Sequence, residues 1–358
     1  MKLKSCLVMI CLILFVFSCS SLLAETTLPE EQGSLVDLID KFRMDIIPRD
    51  SGKYVMPTEL ELKSFGSAFS LLLEWMNGGS GDRLSGAASN LAELKYVLIR
   101  FSDIVAERVF YLARESPGYN RGWGLYILHT RSNGVYRNLL IEVPHIGFDL
   151  ETEKIGIRSF IQSSAGFFLV AGAHRYANPD SVADVAHKEK CVFHVIHNAL
   201  CTNTSTVIQI HGFAETSAGR QLYPQIILSS GEPAGSKAVT DMSAQLTQNG
   251  FTVGIFDGTK YTDLGATENI QGTYARGVGA GFIHMEIARA IRDSSELRGK
   301  VANSVEGFAM KYVIEVPEFT SLGLMVLATI SMSWIVIKAH GRSNTRVKSK
   351  FRVCVRGK

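Results

Sequence analysis

The chain has 358 residues, with 37 Lys and Arg against 34 Asp and Glu, a formal net charge of +3. Eight of the basic residues lie within residues 338–358, so residues 1–337 hold 29 bases and 34 acids, a net of −5. With the positive charge gathered in one terminal stretch, nucleic-acid binding gets no support, because it requires a basic face on the folded part.

Two lysines in Met1–Lys4, an apolar run from Cys6 to Phe17, and small residues before Glu25 have the layout of a secretory signal over residues 1–24. Residues 25–120 read as a helical N-terminal region, a spacer or cover without a chemical motif. Leu35, Leu38, Ile39 and Phe42 fall at helical spacing, as do Leu91, Leu94, Val97 and Leu98, then Ile104, Val105, Val109 and Phe110. Breaks fall at residues 48–52, 77–81 and 116–118, which are rich in Pro and Gly.

From Trp123 the texture changes, and residues 121–315 read as an α/β domain. The spacing predicts strands over 124–130 and 139–143, joined as a hairpin by Ser132-Asn133-Gly134. It then predicts a helix over 155–162, a strand over 167–171, a helix over 185–200, and strands over 207–210 and 225–229. A helix over 238–246, a strand over 251–256 and a helix over 281–293 complete the domain. The expected fold class is α/β, a mixed sheet with helices on both faces, whose binding sites gather beyond the strand ends. Cys191 and Cys201, the cysteines of the domain, could pair in an oxidising exterior or remain free thiols.

Residues 319–337 carry no charge, and as a helix they would reach roughly 28 Å, close to the hydrocarbon thickness of a bilayer. The basic tail of residues 338–358 follows. The positive-inside rule then expects one C-terminal transmembrane helix, a cytoplasmic tail, and an exported domain anchored at the cell surface. Val316-Pro317-Glu318-Phe319, just before the span, resembles the Pro-Glu-Phe sorting signal of archaeal surface proteins, which implies a sorting transpeptidase as a partner.

Several predicted strands deliver a histidine at their C-terminal ends. Leu140-Ile141-Glu142-Val143-Pro144-His145 is one, followed closely by Asp149, Glu151 and Glu153. Val207-Ile208-Gln209-Ile210-His211-Gly212 is another, and Phe168-Leu169-Val170-Ala171-Gly172-Ala173-His174-Arg175 a third. A zinc hydrolase site takes three N or O ligands and leaves one position open. His145, a nearby carboxylate and His211 would supply that set. His194 and His197, one turn apart on a predicted helix, read as structural; His187 and His129 stay ambiguous. No phosphate loop, dinucleotide fingerprint or Gly-x-Ser-x-Gly elbow is present.

The stretch from Trp123 to Arg292 resembles the zinc-dependent carboxypeptidase-like hydrolases, in particular the N-formylglutamate amidohydrolases and the phage poly-γ-glutamate hydrolases. The resembling pieces are Glu142–His145 with Asp149, Gly172–Arg175, Gln209–Phe213, Leu264–Gln271 and Phe282–Ile287. The resemblance implies Zn(2+) held by His145, Asp149 and His211, with Glu151 as the alternative carboxylate. The family's usual Glu position, three residues after the first His, is occupied here by Phe148. It further implies Glu286 as general base and Arg175 as the group that orients a substrate carboxylate. The expected substrate is a peptide or an acylated amino acid. The competing expectation is a non-catalytic surface protein that keeps the fold.

Overall fold

The computed structural model describes residues 28–129, 134, 136–215 and 222–316. The expected signal sequence, Ser132 and Asn133 of the expected hairpin turn, the expected sorting motif from Pro317 onward, the apolar run of residues 319–337 and the basic tail lie outside the described residues. Among the described residues, no helix is long and apolar enough to cross a membrane.

The N-terminal third is not the helical region expected. It opens with β1 (Glu30–Gly33), α1 (Leu35–Asp45), α2 (Glu59–Met76) and α3 (Gly81–Glu93), and then continues as two long strands, β2 (Tyr96–Asp103) and β3 (Arg108–Glu115). Tyr96, Leu98, Ile99, Phe101, Phe110 and Leu112 are buried, in a near-alternating pattern rich in aromatic and branched residues. Ile104 and Val105, which seemed to extend a helical stripe, are exposed in the turn between the two strands. The helices themselves follow their local signals. α2 starts at a capping box in which Thr58 and Glu61 satisfy each other's backbone N–H.

The remaining elements are β4 (Leu125–His129), β5 (Tyr136–Val143), α4 (Thr152–Ser163), β6 (Ala165–Val170), α5 (Val192–Leu200), β7 (Thr206–Phe213) and β8 (Ile226–Ser229). They are followed by α6 (Lys237–Gln248), β9 (Val253–Ile255), α7 (Ile270–Val278), β10 (Gly281–Ala288), α8 (Arg289–Asp293), α9 (Ser295–Tyr312) and β11 (Glu315–Val316). All strands belong to one sheet in the order β1-β2-β3-β4-β6-β5-β7-β10-β8-β9, with β11 beside β5. The first third therefore shares a sheet with the α/β part, and no boundary separates them near residue 120.

Three further expectations change. β4 and β5 do not form a hairpin, because β6 inserts between them, antiparallel to β4 and parallel to β5. The helix expected over 185–200 begins only at Val192, where the Cys191 thiol accepts from the His194 N–H as its N-cap. The segment expected as a helix over 281–293 is mostly strand: β10 is buried on both faces, so its apolar run shows no one-sided stripe. α7 and α9 had no counterpart in the sequence reading.

Helices cover both faces. α2, α5 and α7 lie on the side of Tyr96, Tyr126, Glu142 and Phe282, as the packing of Phe65 on Tyr96, Phe69 on Tyr126, and Gly272 on Phe282 shows. α4 lies on the other side, where Gly156 meets Val143 and Phe168 so closely that a Cβ there would stand 2.7 Å from Val143. Cys191 and Cys201 are buried free thiols, each pushed up to about 12 by burial, and do not pair.

Phe110 of β3 is fully buried and packs on Phe160 of α4, tying the first third to the second. Phe110→Ala is expected to lower the stability of the whole domain by about 3–5 kcal/mol in one cooperative denaturant transition. A separate early transition, with the remainder unchanged, would show that the first third folds independently.

Candidate metal centre

β5, β7 and β10 run parallel side by side, with Glu142 opposite Gln209 and His211 opposite Glu286. Residues paired in this way point to the same face, and so do residues two apart on one strand. The face under α5 and α7 thus receives Glu142, Gln209, His211, His284 and Glu286, all of them buried. His145 follows just beyond β5. There the chain turns at once, with the N–H groups of Phe148 and Asp149 donating to the His145 carbonyl at 3.0 and 2.9 Å. That turn carries Asp149 back against His145.

Three donor atoms converge. Asp149 Oδ2 lies 3.2 Å from His145 Nδ1 and 3.2 Å from His211 Nδ1, and the two ring nitrogens are 3.1 Å apart. The far nitrogens face acceptors. His145 Nε2 meets Asp184 Oδ1 at 2.9 Å, and His211 Nε2 meets Gln209 Oε1 at 2.8 Å. A neutral imidazole holds one proton; placed on Nε2, toward these acceptors, it would leave the Nδ1 lone pair facing the trio, whereas Asp149 competes for it at Nδ1. Arg175 Nη1, 3.3 Å from His145 Nδ1, can only donate and so agrees with that tautomer. Arg175 also pairs with Asp184, which in turn receives His187 at 3.1 Å.

The electrostatics favour a cation at this point. Burial alone would raise the Asp149 carboxyl, but hydrogen bonds with His145 and His211 hold it well below the carboxylate range. Burial likewise opposes ionisation of Asp184, yet its bonds with His145 and His187 and the Arg175 charge keep it strongly depressed. Burial disfavours a charged His145, but its bonds to Asp149 and Asp184 push its pKa up instead. His211 is lowered to about 4, by burial first, against the opposing pull of Asp149. Burial also keeps His284 neutral, its pKa well below the ordinary value.

The residues fit a zinc-like ion. A tetrahedral site with bonds of about 2.0–2.1 Å places its ligand atoms roughly 3.3 Å apart, and the three edges here are 3.1, 3.2 and 3.2 Å. Two imidazoles, each with an outer hydrogen-bond partner, and one carboxylate are the ligand chemistry such an ion takes.

The structure thus brings His145, Asp149 and His211 together, as the sequence suggested. Glu286 stands beside them: the ligand atoms of His211, His284 and Glu286 lie within 4.8 Å of one another. Arg175 also reaches the cluster. Glu151, the alternative carboxylate, does not; it pairs with Lys154 and Arg298. His174 packs against Phe148 and Tyr176, outside the trio. His197 lies behind it on Glu142, and His129 faces Phe110 on the opposite side of the sheet. Asp184, Gln209 and His284 were missed as site residues. The strand period would have found two of them, since Gln209 precedes His211 by two residues and His284 precedes Glu286 by two.

No family model matches the chain, and no curated protein does either. Among solved structures, it is similar to a bacteriophage poly-gamma-glutamate hydrolase at 12% identity, over 50% of this chain and 87% of that one, with a TM-score of 0.37. It is similar also to zinc-free YndL at 16% identity, over 50% and 89%, with a TM-score of 0.35. A metallo-carboxypeptidase from Burkholderia cenocepacia aligns at 12% identity over 64% and 68%, with a TM-score of 0.31.

A pH dependence follows from these environments. Burial lowers His194, as well as His211, to about 4, whereas an unfolded histidine titrates near 6.5. Between roughly pH 6.5 and pH 4 the unfolded chain therefore binds protons that the folded one refuses, and stability falls as pH falls. His145, raised when folded, acts in the opposite sense. Denaturant unfolding of the metal-free protein is expected to show lower stability at about pH 4.5 than at about pH 7. His194→Gln should remove up to about 3 kcal/mol of that difference; an unchanged slope would contradict the assignment.

Proposed function

We propose that this chain is a metal-dependent hydrolase of an amide bond, with His145, Asp149 and His211 as the ligands of one divalent ion, zinc by preference. The observation that carries the reading is the convergence of two Nδ1 atoms and one carboxylate oxygen at mutual distances of 3.1–3.2 Å. The sequence motifs around these residues support it, because they resemble those of carboxypeptidase-like and N-acyl amino acid hydrolases.

When bound, such an ion supplies Lewis acidity and makes a water nucleophilic near neutral pH. Glu286, on the strand beside His211, would accept a proton from the attacking water and return it to the leaving amine, a role its closeness to His211 and His284 supports. Arg175 presents one edge of its guanidinium to Asp184 and holds that carboxylate against His145. Its Nε–H, buried and without a partner among the described residues, is the donor left to orient the carboxylate of a peptide or an acylated amino acid. Export by the N-terminal signal, anchoring by the apolar span, and processing by a sorting transpeptidase complete the reading. The enzyme would then work at the cell surface with its basic tail inside.

Metal content measured on the full-length protein tests the site. About one zinc per chain is expected, lost in His145→Ala and in His211→Ala while both variants keep their secondary structure. Glu286→Gln should retain the metal and lose roughly 100-fold or more in amide hydrolysis. A folded wild type that takes up no zinc from excess would sink the hydrolase reading in favour of an anchored surface protein on this scaffold.

A further inference from the structure

Behind the metal trio lies a buried polar network that the proposed reaction does not use, and at its centre is Gln209. Its side chain is fully buried, and both ends of the amide are engaged. The carbonyl Oε1 meets His211 Nε2 at 2.8 Å and also receives Asn269 Nδ2. The amide Nε2 meets Glu142 Oε2 at 3.0 Å and Gln271 Oε1 at 3.3 Å.

An amide is ambiguous by shape, since its oxygen and nitrogen ends are nearly the same size, and only the surrounding network says which is which. Here three neighbours decide it independently. Glu142, when ionised, can only accept, and its other oxygen already takes His197 Nδ1 at 2.7 Å. The nitrogen of Gln209 must therefore face Glu142. Gln271 turns its own nitrogen toward the Val185 carbonyl at 2.8 Å, a group that can only accept, so its oxygen is what remains for Gln209. Asn269 caps α7 by accepting the Gly272 N–H on Oδ1 at 2.8 Å, so its nitrogen is what remains for the carbonyl of Gln209. All three require the same orientation.

We propose that Gln209 is a positioning residue that sets the tautomer of His211: its carbonyl, locked toward Nε2 by Glu142, Gln271 and Asn269, holds the proton there against the competing pull of Asp149 Oδ2, 3.2 Å from Nδ1, and so frees Nδ1 to face the trio. A reversed amide would present N–H groups to His211, move its proton to Nδ1, and block the atom that faces the trio. The consequence for ion binding rests on the metal reading; the tautomer itself does not. A partner that fixes the free nitrogen of a metal-binding imidazole is worth about 10–100-fold in affinity.

Two variants test this. Gln209→Met keeps the length and removes both ends of the amide. Asn269→Asp keeps an oxygen for the Gly272 N–H, and with it the helix cap, but sets a second acceptor against the Gln209 carbonyl. Two-bond proton–nitrogen correlation spectra of the metal-free protein read the His211 tautomer directly, and zinc titration reads the affinity. The expected result is Nε2–H in the wild type, a mixed or inverted tautomer in both variants, and zinc affinity lower by about 10–100-fold with the fold retained. Nδ1–H in the wild type would overturn the proposal, as would variants that keep both the tautomer and the affinity. Should Gln209→Met fail to fold, Asn269→Asp carries the decision alone. A wild type that holds Nε2–H but binds no zinc, with the proton relocated in the variants, would uphold the positioning role and sink only the metal reading.

Discussion

Two imidazole nitrogens and a carboxylate oxygen share a space of 3.1–3.2 Å only with a positive charge among them, carried by a proton or by a metal ion. Burial sharpens the demand, because the surrounding protein screens the repulsion poorly. Nearly everything polar in this half of the sheet can be read as a consequence of maintaining that convergence. Asp184 and Gln209 hold the outer nitrogens of the two rings, Arg175 holds Asp184, and Glu142 holds Gln209. Asp184 is held in turn by His187, Gln209 by Gln271 and Asn269, and Glu142 by His197, so the arrangement extends two layers out from the trio.

The scaffold makes this affordable through parallel pairing. Register alone places Glu142 beside Gln209 and His211 beside Glu286, so only His145, Asp149 and the Asp184 region depend on loops. The ends of the strands are drawn together by Arg292, whose guanidinium donates to the carbonyls of Leu150, Phe213 and Ile287. One side chain therefore ties the loop bearing Asp149 to the ends of β7 and β10. Gly212 is required beside it, since a Cβ there would lie 2.4 Å from the guanidinium carbon.

The sequence pointed to His145 and His211 because they stand at or next to the ends of apolar runs, where a polar side chain is conspicuous, while Asp149 was singled out from its neighbouring carboxylates only by the resemblance. It did not show the network, because Gln209 and His284 lie inside such runs and look like interruptions of a core strand until the facing strand is known. β2 and β3 misled for a related reason: five apolar residues in eight satisfy helical and extended templates alike, and only tertiary pairing distinguishes them. β10 was missed as a strand since both of its faces are covered, which erases the alternation that marks a half-exposed strand. The Arg175–Asp184 pair joins side chains nine residues apart through a stretch with little regular structure; the charges alone allow Asp180 or Asp184 as the partner of Arg175, and the fold selects Asp184.

The strand order also has a consequence for the chain as it emerges during synthesis. β10 lies between β7 and β8, yet it is made after β8, α6 and β9. Until it arrives, β8 and β9 can pair only with each other, and β7 presents an open edge rich in branched apolar residues. The growing domain thus passes through a stage in which its central strand is a template for any extended segment nearby, its own or a neighbour's. Insertion of a single late strand closes that edge, gathers the waiting pair and supplies His284 and Glu286 in the same step.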